Sequence, residues 1–218
     1  MMKIPEIAGM DLAALLCSRV CHDVISPVGA IANGIELLDE GADEETSEIA
    51  MDLIRSSAKN ASAKLQYARI AFGAAGSAGA HIDTGDAEAV ARAYFDNEKK
   101  LELEWVGERA LLAKNSVKFL LNLLLVGMGA IPRGGDVKVE IINPNDNVSF
   151  KVTSTGMKAR VPSAFLDLIN GTFEEAIDAH AIQPIYTLQL AQAARLAVSV
   201  KLEGESVVFE ASGEQEGA

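Results

Sequence analysis

His22-Asp23-Val24-Ile25-Ser26-Pro27 sits in the middle of a stretch, residues 6–40, in which Ala13, Leu16, Val20, Val24, Ile31, Ile35 and Leu38 recur every three or four positions. At 3.6 residues per turn those side chains project to one side, so the spacing predicts a single long amphipathic helix. Gly41 ends it, and Asp43 with Thr46 supplies the capping chemistry for a second helix. Its apolar stripe is Ile49, Leu53, Ala61, Leu65, Ala68 and Phe72, broken only by Ser57. Two helices with one apolar face each cannot enclose a core alone. Pairing with a second copy is the simplest closure, so the expectation is a homodimer built on a four-helix bundle.

Moving outward, residues 73–80 contain only small side chains and read as a connection between domains. The expected division is a helical hairpin over 1–73, a linker over 74–80 and a second domain over 81–218. In that second domain the pattern predicts a helix at 86–97, a strand at 101–106, a helix at 114–130 and strands at 137–142 and 148–153. Pro144-Asn145-Asp146-Asn147 reads as the turn between the last two. Two shorter helical stretches follow Pro162, then a hairpin formed by 196–202 and 206–211, with 212–218 as a frayed tail. The fold class is α+β.

Composition excludes several functions. The hydrophobic share of 49% over 218 residues is enough for a real core, and the net charge of −12 repels nucleic acid and anionic membrane surfaces. The longest apolar run, residues 119–126, is interrupted by Asn122 and falls short of the roughly 20 residues needed to cross a bilayer. Met1-Met2-Lys3 leads into Ile4-Pro5-Glu6, with Asp11 where a signal peptide needs apolar side chains. The expectation is therefore a cytoplasmic protein without a membrane partner. Cys17 and Cys21, four apart on one helix, do not make a disulfide framework and are expected as core thiols.

The chemistry centres on His22. Counting 100° per residue, Asp11, Leu15, Ser18, Ser26, Gly29, Asn33, Glu36 and Glu40 lie within about 40° of it, opposite the apolar stripe. Apart from Leu15, that ridge is small or polar, so the imidazole is open to a macromolecular partner instead of being enclosed by a small-molecule cleft. Pro27 interrupts the helical hydrogen bonding one turn beyond. Cys17, Cys21 and His22 together suggest a metal or haem site, but the sulfurs point about 100° or more away from the imidazole and the three do not converge. His81 and His180 have no companions at ligand spacing and are assigned no role.

His-Asp-x-x-Ser-Pro, followed by Val28-Gly29-Ala30-Ile31 within a helical hairpin, resembles the H box of bacterial sensor histidine kinases, whose imidazole carries a phosphoryl group. The second domain resembles their ATP-binding GHKL (Bergerat-like) α/β sandwich, with its boxes degraded. Asn122-Leu123-Leu124-Leu125-Val126-Gly127 stands for the N box, and Val126 replaces the Asn that holds Mg²⁺ on the nucleotide. Val offers no oxygen to a hard cation. Val152-Thr153-Ser154-Thr155-Gly156-Met157-Lys158 stands for Asp-x-Gly-x-Gly, with Ser154 in place of the adenine-reading Asp and Lys158 in place of the second Gly. Residues 181–188 occupy the place of the Gly-rich phosphate box and contain no glycine.

An intact H box beside three degraded ATP boxes identifies the chain as similar to the ChpT family of bacterial histidine phosphotransferases. The resemblance implies a dimeric hairpin and an ATPase-like domain that relay phosphoryl groups without ATP. It also implies the partners: the receiver of a CckA-like hybrid kinase as donor, and CtrA-like and CpdR-like response regulators as acceptors. His22 is the expected phosphorylated nucleophile and Asp23 its supporting acid. Arg19, Ile25, Ser26 and Gly29 are candidate receiver contacts. No cofactor is expected on this chain, because the receiver supplies Mg²⁺. Two competing readings remain: an ATP-using histidine kinase fragment and a non-catalytic receiver-binding adaptor.

Overall fold

The computed structural model describes residues 2–41, 43–73, 81–142, 147–179 and 181–213. The expected linker 74–80, most of the 144–147 turn, His180 and the end of the tail lie outside the described residues. Helix α1 spans Gly9–Asp39 and α2 spans Glu44–Ala71, forming an antiparallel hairpin. The second helix starts as its sequence indicates, with the Asp43 carboxylate accepting from the Thr46 amide at 2.8 Å. Gly41 adopts φ +80°, the left-handed geometry that stops α1. Near the hairpin tip the helices approach closely at Gly34, where an added Cβ would lie 2.7 Å from Ile54.

The first helix begins three residues later than the periodicity suggests. Residues before Gly9 instead run against the second domain: the Lys3 amide donates to the Leu168 carbonyl at 3.1 Å, and Ile4 and Ile7 pack onto its core. That packing outweighs helical extension, and Pro5 has no amide to continue a helix. By length and composition alone, helix α1 is also long and apolar enough to cross a bilayer, unlike the apolar run at residues 119–126. Its centre nevertheless carries Arg19, His22 and Asp23, and one face is packed along α2.

The second domain contains β1 (His81–Asp83), α3 (Thr84–Phe95), β2 (Leu101–Val106), β3 (Leu111–Ala113) and α4 (Lys114–Ala130). It continues with β4 (Gly135–Ile142), β5 (Ser149–Thr155), α5 (Ser163–Asn170), α6 (Ile182–Ala193), β6 (Leu196–Glu203) and β7 (Ser206–Gly213). Five strands form one sheet in the order β2-β4-β5-β7-β6, with β2 and β4 parallel and the other neighbours antiparallel; β1 and β3 form a separate antiparallel pair. Alternation assigns the sheet faces. Val137, Val139, Phe150, Val152, Val207 and Phe209 point inward, while Lys138, Glu140, Lys151 and Glu210 lie on the more open side.

Helix α4 is the spine of the core, with residues 116–124 all buried. Phe119 meets Phe150 on the sheet, and Phe165 meets Phe209 edge-on at 5.4 Å between centroids. The architecture is the α+β arrangement expected: a helical hairpin followed by a sheet covered by helices on one face. Ser212 and Gly213, assigned to the frayed tail from sequence, pair with Ala197 and Leu196 as the end of β7.

The hairpin is fastened to this domain at the C-terminus of α2. A helix leaves its last carbonyls without partners. Here the Asn122 amide donates to the Ala71 carbonyl at 3.0 Å and Lys118 Nζ reaches the Phe72 carbonyl at 3.4 Å, both from α4. The buried Tyr67 hydroxyl donates to the Leu121 carbonyl. Gln183 on α6 completes the junction by donating to Asn122 Oδ1 at 2.9 Å.

Candidate functional site

His22 stands on α1 with its side chain 59% exposed, on the flank of the hairpin away from α2. The neighbouring turns along that ridge present Ser18, Ser26, Gly29 and Asn33, all exposed. Ile25 is 70% exposed, and a Cβ on Gly29 would meet no heavy atom within 4 Å, so both leave room for a docked surface. Pro27 is buried against the hairpin.

Asp23 and Arg19 occupy a different environment from the one the ridge suggests. Both side chains are only 19% exposed. Arg19 Nε lies 3.2 Å from Asp23 Oδ2, and Asp23 Oδ1 lies 3.5 Å from His22 Nδ1. One carboxylate thus bridges the guanidinium and the imidazole. The Arg19 side chain is largely buried and its Nε makes no hydrogen bond, so the contact with Asp23 is one of charge. It also lines a cleft of about 640 Å³ against the second domain, together with Tyr94, Asn97, Glu98 and Gln183. Burial, and then the Asp23 and Glu98 carboxylates, hold the Tyr94 phenol well above its ordinary titration range, so it is neutral.

Cys17 and Cys21 are exposed, contrary to the expectation of core thiols. The helical wheel explains the difference: they lie on the edge of the apolar stripe that α2 leaves uncovered, alongside Val28 and Ile35, which are also exposed. The hydrogen bond that the neutral Cys21 thiol makes to Cys17 raises it above its ordinary value, and charge repulsion from Cys17 adds to the shift. Among the described residues, no group of three or more His, Cys, Asp or Glu side chains is placed to hold a metal ion.

The residues read from sequence as degraded boxes are packed into the second domain. Val126 is buried and lines a cavity of about 570 Å³ with Leu125, Gly129, Val161 and Pro184. Ser154 is fully buried beneath Gly127, where an added Cβ would come within 2.8 Å of its hydroxyl. Lys158 adopts φ +62°, the backbone geometry that a glycine in its place favours. Residues 182–193, where a phosphate-binding box would sit, are helical and their first residues are buried in the core. Asn122 itself is occupied with the end of α2.

Comparisons with known proteins support the family resemblance. Residues 84–206 match the family model of the histidine phosphotransferase C-terminal domain. The protein phosphotransferase ChpT of Brucella abortus (strain 2308) is 56% identical over 212 residues, spanning 96% of this chain and all of the relative. The chain belongs to the ChpT-type bacterial histidine phosphotransferases. A solved bacterial phosphotransferase agrees in three dimensions, at 54% identity with a TM-score of 0.89, covering 96% of this chain and all of that one. Membership of this family makes the protein a phosphotransferase of two-component signalling, with receiver domains as its general class of partner.

The sequence missed the Arg19–Asp23 bridge and the junction at Asn122. The spacing of Arg19 and Asp23, four apart on a helix, was the available signal for the first.

Proposed function

We propose that the protein relays phosphoryl groups between receiver domains through His22, without binding ATP. The observation that carries this reading is the exposed imidazole on a ridge of small residues. Such a surface suits a broad protein partner better than a nucleotide. In the first step His22 Nε2 attacks the phosphorus of a receiver's aspartyl phosphate. The N–P bond forms, the Asp O–P bond breaks, and the donor carboxylate leaves. The proton on Nδ1 stays, and the Asp23 carboxylate beside it stabilises the positive ring. In the second step an acceptor's carboxylate attacks the same phosphorus, the N–P bond breaks, and the ring returns to its neutral form. No net proton is consumed.

Transfer of this kind is mainly a matter of positioning and charge neutralisation. The receiver brings the Mg²⁺, since Val126 offers no oxygen to it and the Asn122 oxygen is taken by Gln183. The proposed donor is the receiver of a CckA-like hybrid kinase and the acceptors are CtrA-like and CpdR-like regulators, in the cytoplasm. Residues 1–73 would dimerise and carry the histidine, and residues 81–218 would be a pseudo-ATPase domain. The dimer is supported by apolar side chains left open on the hairpin: Ile49 at 63%, Ile35 at 47% and Leu53 at 37% exposed. Ile25, Ser26 and Gly29 are the proposed receiver contacts.

The test is to incubate the purified protein with a labelled phospho-receiver and, separately, with γ-labelled ATP. Acid-labile label at His22 from the receiver alone is expected. Label from ATP would replace this reading with that of a kinase.

A further inference from the structure

The cleft of about 640 Å³ between the hairpin and the second domain is lined by two residues that each hold a buried polar atom without a hydrogen-bond partner among the described residues. One atom is an acceptor, Gln183 Oε1, on a residue only 5% exposed. Asn122 fixes its orientation. The Asn122 amide is spent on the Ala71 and Lys118 carbonyls, so Asn122 Oδ1 can only accept, and Gln183 turns Nε2 to it at 2.9 Å. Thr187 supplies no donor in return, because its hydroxyl proton goes to the Gln183 carbonyl at 2.7 Å. The other atom is a donor, Arg19 Nε, which meets Asp23 by charge alone. Buried polar groups ordinarily have partners, so an orphaned donor and an orphaned acceptor on the lining of one cleft mark a place that a ligand completes.

The rest of the lining describes that ligand. Leu101, Leu125, Met128 and Ile131 are apolar, Lys99 and Lys100 add two cations to Arg19, and the Glu98 carboxylate is already held by Lys64 of α2 at 3.3 Å. In a chain of net charge −12 this makes a locally positive recess, suited to an anion. Gly129 of α4 also lines it, in helical conformation, where an added Cβ would meet no heavy atom within 4 Å. Neither backbone geometry nor packing calls for a glycine there, and glycine weakens a helix relative to alanine; what it does is keep the cleft open. We propose that this cleft binds a small organic anion that carries an N–H donor and a short apolar body, the chemistry of an N-acylated amino acid. Arg19 and Lys100 meet the carboxylate, the ligand N–H donates to Gln183 Oε1, and the apolar body lies on Leu125 and Met128 beside Gly129. The volume is in the range of small-molecule sites. With Arg19 on α1 and Gln183 on α6, the bound anion bridges the histidine-bearing hairpin and the sheet domain.

The probe is N-acetyl-L-leucine, titrated into the full chain with no receiver present, so the outcome is independent of the relay reading. ¹H–¹⁵N spectra follow the Gln183 side-chain amide and the Arg19 Nε–H, and saturable shifts are expected at both. The methyl ester, which lacks the anion, and 4-methylpentanoate, which lacks the N–H, should each bind at least about ten-fold more weakly, the cost of one lost charge-assisted or buried hydrogen bond. Gly129→Phe puts a ring into the cleft from an open helical position, and Lys100→Glu reverses a charge at its exposed rim. Each should weaken binding of N-acetyl-L-leucine at least about ten-fold with wild-type helix content in circular dichroism, the two variants serving as independent checks. Absence of saturable shifts would leave the orphaned atoms to water and overturn the proposal. Shifts confined to Arg160, Val161 and Ser163, which line the neighbouring cavity, would overturn it as well. So would equal affinity for the three compounds, or undiminished binding in the folded variants.

Discussion

Replacing Asn122 by leucine tests the junction between hairpin and sheet domain with little change of volume. Asn122 is fully buried; its amide donates to the Ala71 and Lys118 carbonyls at 3.0 and 2.8 Å, and its Oδ1 accepts from Gln183 at 2.9 Å. Leucine leaves two groups short of partners: the Ala71 carbonyl at the end of α2 and the Gln183 amide, which keeps only longer contacts to the Asn122 backbone and Thr187. At about 1–3 kcal/mol for each orphaned buried group, the loss is roughly 2–6 kcal/mol. Burial of the leucine side chain returns roughly 1–2 kcal/mol. The net destabilisation is then about 2 kcal/mol, or a fall in Tm of about 4–8 °C for a chain of this size. Calorimetry reads the total and amide hydrogen exchange reads its location. Exchange should rise first in residues 66–73 and in α4, ahead of strands β4 and β5. A Tm within about 1 °C of wild type, with unchanged exchange at the end of α2, would refute the claim that this side chain fastens the two parts together.

Other outcomes follow from the same structure. Phe165→Ala removes a fully buried ring from its edge-on contact with Phe209 and should cost about 3–5 kcal/mol in urea unfolding. Two hydrogen-bonding partners, Arg109 at 2.7–2.9 Å and the Gly85 amide, hold the Asp83 carboxyl below its ordinary value. Because the folded value is the depressed one, its contribution is present above the unfolded value and fades as pH falls through the folded value, so Asp83→Asn should flatten the acid limb of a stability–pH profile. Ile35→Asp with Leu53→Asp places charges on the open hairpin face and should convert a dimer to monomers in light scattering, with helix content retained; an unchanged mass would argue against that interface.

Much of this was legible in the sequence because long helices and alternating strands write their period directly. The stripe from Ala13 to Leu38, the Asp43 cap and the Gly41 stop marked the hairpin, and the alternation in 137–142 marked strand β4. His22 was legible as an exposed residue by its angle from that stripe. A helical wheel shows which residues share a side, but not how far the neighbouring helix covers it, which is why Cys17 and Cys21 were assigned to the core and are exposed. The β1 and β3 strands are three residues each, too short to carry a period. The environment of Arg19 and the new task of Asn122 depend on elements far along the chain, α3 and the end of α2, and no local pattern encodes such contacts.

The central claim is that a single imidazole accepts a phosphoryl group from an aspartyl phosphate and passes it on. The most direct measurement adds a ³²P-labelled receiver to the wild type and to His22→Ala, then follows acid-labile label on the protein and on a second, unlabelled receiver. Transient label on wild type that chases to the second receiver, with none on a folded His22→Ala variant, is the predicted result. Label reaching the second receiver undiminished without His22 would contradict it.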